Sequence, residues 1–73
     1  METLRRVAAH EVVLPSGEIL HQAVVEIDEY RVVNYYEFRE ELPLCEWLGG
    51  TIEIVDTKHG LIAFQEGKKI CTQ

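Results

Sequence analysis

Apolar and polar residues alternate along most of the chain with a period of two, the repeat of a β-strand with one face buried. Residues 5–14 place Arg6, Ala8, His10, Val12 and Leu14 on one face and Val7, Ala9, Glu11 and Val13 on the other. The alternation is imperfect, and the alanines near its start predict close packing. Pro15 ends the run because it cannot donate to a ladder, and Ser16-Gly17 supplies turn chemistry. Residues 19–27 resume the pattern, with Ile19, His21, Ala23, Val25 and Ile27 on the face expected to meet the core. Leu20, Gln22, Val24 and Glu26 take the other face. The two runs form a predicted β-hairpin that the rest of the sheet extends.

Asp28-Glu29-Tyr30 breaks the pattern, and residues 31–38 give a third strand rich in β-branched and aromatic side chains. Its apolar content on both faces suits a strand that meets a partner or a covering loop as well as the core. Residues 39–44 read as a connection, in which Pro43 stops any longer helix and biases Leu42 towards extended geometry. A single helical turn within residues 37–42 is the open alternative. Residues 45–48 lead into Gly49-Gly50, a predicted bulge or bend between two short strand pieces. Residues 51–55 and 61–65 are strands about a polar turn, and Glu66-Gly67 turns the chain into residues 68–71, a lysine-marked edge strand. About six short strands at intervals of roughly ten residues predict an all-β fold. The expected form is a small antiparallel β-sandwich or partly open barrel, one domain over residues 1–73.

Composition refines this picture. A chain of 73 residues is short, and a domain of that size buries only about 60% of its unfolded surface, so oligomerisation would be a natural supplement. A net charge of −6, from 13 acidic and 7 basic residues, repels phosphate backbones and anionic bilayers. No nucleic-acid or membrane partner is therefore expected unless Arg5, Arg6, Lys68 and Lys69 cluster. No apolar leader follows Met1, and no run approaches the ~18 apolar residues of a membrane span. The expectation is a cytoplasmic protein whose two cysteines, Cys45 and Cys71, are reduced and packed.

Three stretches carry a resemblance. Residues 9–28 (AHEVVLPSGEILHQAVVEID) and 60–70 (GLIAFQEGKKI) resemble the N- and C-terminal strands that build the small β-sandwich of metal-dependent amidohydrolases, and residues 46–56 (EWLGGTIEIVD) are similar to the segment that leads into that family's barrel. The resemblance implies the accessory sandwich alone. The Pro-Gly expected after Ile54 is absent, Lys58-His59 stands in place of a His-x-His pair, and a catalytic barrel takes about 250 residues. No catalytic residue carries over.

Candidate chemistry is sparse. His10, His21, His59 and Cys45 are ligand types, and a two-residue hairpin loop would bring His10 and His21 together, but structural zinc needs four ligands. Imidazoles on a half-exposed sheet are the plainer reading, and no cofactor or metal is expected. Cys45 with His59 lacks an orienting group and an oxyanion hole. Glu37, Glu40, Glu41 and Glu46 read as solvated charge rather than an acid–base pair. Gly49-Gly50 lacks the lysine and helix of a phosphate loop. The cluster that stands out is aromatic: Tyr30, Tyr35, Tyr36, Phe38 and Trp47. Tyr35, Tyr36 and Trp47 are the interface candidates, the alternative being that they complete a thin core. The function expected is non-enzymatic: a module for protein–protein interaction or self-association, a homo-oligomer or the partner of another protein. The alternative is an accessory domain acting beside a separate amidohydrolase barrel.

Overall fold

A computed structural model of the chain describes residues 4–39 and 45–71. Its strands are β1 (Leu4–Val13), β2 (Ile19–Asp28), β3 (Arg31–Glu37), β4 (Glu46–Trp47), β5 (Thr51–Thr57), β6 (Gly60–Gln65) and β7 (Lys68–Lys69). Among the described residues there is no helix, so the chain is all-β. Glu37 closes β3, and residues 40–42 of the alternative helical turn, with the rest of the connection to residue 44, lie outside the described residues.

The strands form one sheet in the order β3-β2-β1-β5-β6-β7, with β4 also paired to β1. The sheet curls until β3 packs against β6, without a ladder between them. This is the open-barrel form of the expected fold, built from one sheet. The pairing is mixed, where purely antiparallel strands were expected: β1 runs parallel to β4 and to β5. β3 and β4 flank the β1–β2 pair on opposite sides and run in the same direction as β1, so the path from β3 to β4 is a crossover rather than the antiparallel return of a Greek key.

The inner face gathers Val7, Ala9, Val12, Leu14, Ala23, Val25, Ile27, Val32, Ile52, Ile54, Ala63 and Ile70, with Leu20, Tyr35, Leu48 and Leu61 packed against them. Val7, Val12, Val25, Ile27 and Ile52 are wholly buried, and each such side chain contributes about 1.5–3 kcal/mol relative to exposure. Among the described residues no charged or polar residue is buried.

The inward set changes parity within β1, from Val7 and Ala9 to Val12 and Leu14. In β2 the odd residues Ala23, Val25 and Ile27 face in, but beyond them Leu20 packs on the core while His21 and Gln22 are exposed. Register is nevertheless kept: Ala9 opposes Ala23 and Glu11 opposes His21. His10 and Gln22 therefore face each other at a kink common to both strands, and Gln22 takes φ 52° there. The kink continues into the next strand, where Gly49 and Gly50 have φ 72° and 62°. The Ala8 carbonyl accepts from the N–H groups of Leu48 and Gly49, and the Glu11 N–H donates to the Gly50 carbonyl. A corner thus runs across three strands and folds the sheet around its core. It corrects the expected core face of β2: Ile19 is 44% exposed and His21 is exposed, because the kink turns both outward.

β3 is an edge strand with a bulge. Val32 pairs with Ile27 and Asn34 with Glu26, which leaves Val33 without an opposite residue and 54% exposed. The Asn34 side-chain oxygen accepts from the Tyr35 N–H at 2.9 Å. Bulge and side-chain cap together blunt this edge against a further strand.

Candidate functional site

Cross-strand partners share a face, so the register sets out a row on the outer side of the sheet. Tyr36 opposes Val24, Val24 opposes Ala8, and Ala8 pairs with Trp47. The two central residues are buried, whereas Tyr36 is 37% and Trp47 52% exposed. Two aromatic side chains therefore stand at the ends of a row whose middle is small and apolar. The His10 ring meets the Trp47 indole edge-on, with centroids 4.8 Å apart and planes at 88°. A Cβ on Gly49 would lie 3.6 Å from the indole nitrogen, so the glycine bend seats the indole against backbone.

The row beside it is polar and fixed. The Arg6 Nε donates to Glu26 at 3.0 Å, and the Tyr36 hydroxyl donates to the same carboxylate oxygen at 3.3 Å. Burial, aided by the Glu26 charge, pushes the Tyr36 hydroxyl above its ordinary pKa. It therefore stays a neutral donor.

The interface candidates separate. Tyr36 and Trp47 share the outer row, while Tyr35 opposes Val25 and packs against the core. The missed member is His10, which alternation placed on one face with Ala8, Val12 and Leu14. It stays with Ala8 on the outer face beside Trp47, and the kink after it carries Val12 and Leu14 inward.

The other candidates do not converge. The hairpin connection is residues 14–18, closed by the Leu14 N–H to the Glu18 carbonyl, so the two-residue loop is not formed. Glu11, rather than His10, lies opposite His21. Among the described residues no three of His, Cys, Asp and Glu gather as a metal site. Cys45 precedes β4 and His59 lies in the β5–β6 turn, donating its backbone N–H to Thr57 Oγ1. Burial raises the Cys45 thiol pKa, which favours the poorly nucleophilic thiol. Glu37 accepts from the His21 backbone N–H and Glu46 is tied to Arg5; Glu40 and Glu41 lie outside the described residues.

Arg5 anchors the open end of the curl. Its Nε and Nη2 donate to the two oxygens of Glu46 at 3.0 and 2.9 Å, and its Nη1 donates to the Cys71 carbonyl at 2.6 Å. This fork raises the Arg5 pKa and holds the Glu46 carboxyl below its usual range. Next to it is an open cleft of about 240 Å³ lined by Arg5, Leu48, Gln65, Glu66, Lys68, Lys69 and Ile70. Three of the four cations whose clustering would matter for an anionic partner thus meet here. Arg6 is on the outer face with Glu26.

Comparison with models of known families, with curated proteins and with solved structures finds no match in any of the three. Among the described residues no helix is long and apolar enough to cross a membrane.

Proposed function

We propose that the chain is a non-enzymatic interaction module that docks through its outer aromatic row, and that its first partner is a second copy of itself. The observation that carries this is the position of Trp47. The indole is half exposed, braced edge-on by His10, and in register with Tyr36 across a small apolar middle. Tryptophan and tyrosine are the residues that most often anchor protein interfaces. The blunted β3 edge supports association by face rather than by strand addition. A core this small also gains from burial against a second surface.

Light scattering across micromolar concentrations tests the reading. A mass above that of one chain, reduced to one chain by Trp47→Ala with the β-sheet circular dichroism intact, is expected. A single-chain mass at every concentration, with unchanged Trp47 emission, refutes self-association. The accessory-domain reading draws support only from the all-β class that it implies. Co-purification with a separately encoded hydrolase, abolished by the same Trp47 substitution, would favour it.

A further inference from the structure

The cleft at the open end of the curl belongs to neither the aromatic row nor the kink. We propose that it is a binding site for a small monocarboxylate with a short aliphatic body. Three of the seven basic residues of a chain with net charge −6 line it: Arg5, Lys68 and Lys69. Glu66 is the one acid in its lining. A local positive wall in an otherwise acidic molecule concentrates anions where surrounding walls exclude part of the solvent.

Donors remain for such a ligand. The Arg5 guanidinium spends one N–H each of Nε, Nη1 and Nη2 on Glu46 and Cys71, and Nη1 and Nη2 carry a second hydrogen each. Because the Glu46 fork fixes the guanidinium plane, those hydrogens are held in place. Lys69 is held over the Tyr30 ring, its Nζ 5.6 Å from the centroid. Lys68 is in no ion pair among the described residues. Leu48 and Ile70 supply an apolar wall, and Gln65 is pinned by its Nε2 donating to the Gly49 carbonyl at 2.8 Å.

Size and charge select the class. At about 240 Å³ the cleft is smaller than the ~300–1,000 Å³ typical of drug-sized sites. One charged head with a few carbons fits that space, whereas a polyanion would meet the surrounding acidic surface. The head would sit on Lys68 and the free Arg5 hydrogens, and the aliphatic body on Leu48 and Ile70. Affinity for so few atoms is expected at roughly 1–10 mM.

Heteronuclear NMR titration tests this with hexanoate and with N-acetyl-leucine, the latter standing for the carboxyl end of a peptide. Saturable shifts confined to Arg5, Leu48, Lys68 and Ile70 are expected, weakening at least threefold when both lysines become alanine. Lys58→Ala, a charge removed in the β5–β6 turn, should leave the titration unchanged. Tighter binding of N-acetyl-leucine assigns a peptide end; tighter hexanoate assigns a short fatty acid. Hexanol shifting the same residues at the same concentration would overturn the proposal, as would no saturation by 50 mM or an unaltered titration of the folded double lysine variant.

Discussion

Gln22 and His10 are the opposed positions at which the β1–β2 ladder lapses, between the pairs Ala9–Ala23 and Glu11–His21, and there both strands exchange the side they present to the core without losing register. A left-handed φ of 52° at Gln22 makes the exchange possible, at a cost of about 1–2 kcal/mol for an L-residue. Its carbonyl is turned to accept the Phe38 N–H at 2.9 Å, which fastens the end of β3 to the corner.

Replacing Gln22 by glycine removes that strain, and replacing it by valine aggravates it. Gln22→Gly should raise the free energy of unfolding by up to about 1 kcal/mol, and Gln22→Val should lower it by more than about 1 kcal/mol. Urea titrations of the two variants check a difference of opposite sign, which mere surface exposure would not produce.

The Arg5 fork joins β1, β4 and the chain after β7. Arg5→Ala should cost about 1–2 kcal/mol, because it removes a partly exposed ion pair and a charge-assisted bond to a carbonyl. Arg5→Lys should recover less than half of this, since an ammonium cannot reproduce the planar fork. Amide exchange at Leu48 and Ile70 reads the loosening.

Acid should reproduce part of that loss. The Glu46 carboxyl is held low by its hydrogen bonds to Arg5, so its contribution is complete above the ordinary carboxylate value of about 4.3. It fades as pH falls through the depressed value in the folded chain. Side-chain exposure of 50% at Glu46 keeps the contribution below about 1 kcal/mol. Stability of Glu46→Gln should accordingly differ from the parent at pH 6 and converge with it near pH 2, measured by denaturant midpoints.

Trp47→Ala should barely change stability, by less than about 1 kcal/mol, because half of the side chain already meets solvent. Its effect should be on association, read as a fall in light-scattering mass. Val24→Ala, on the same row but wholly buried, should instead destabilise by about 1–2 kcal/mol.

Gly60 packs where β3 meets β6. An added Cβ would stand 3.3 Å from Arg31 Cδ, and the φ of 106° disfavours any side chain. Gly60→Ala should lower stability by about 1–3 kcal/mol in thermal melts, more than Lys58→Ala in the adjoining turn.

Strand positions were legible in the sequence because each run alternates and each ends in turn chemistry. Residues 19–27 against β2 (Ile19–Asp28), and residues 31–38 against β3 (Arg31–Glu37), differ by one residue. Gly49-Gly50 was legible as a bend for the same local reason. The kink was not, since Gln22 and His10 carry no turn signal; its positive φ is imposed by two neighbouring strands together. Half of the aromatic row was therefore readable, Tyr36 and Trp47 by residue type. The inward turn of Tyr35 and the arrival of His10 depend on register, which a single strand cannot state. Parallel pairing of β1 was hidden likewise, in the path between β3 and β4.

The two sides of the curl are joined unequally. β1 shares a nine-pair ladder with β2 but only three pairs with β5, and across the gap Arg31 lies on Gly60 and Lys69 over Tyr30. The molecule is therefore built as two leaves on a narrow spine, latched across the seam by side chains, the Arg31 methylenes on Gly60 and the Lys69 ammonium over Tyr30, instead of backbone rungs.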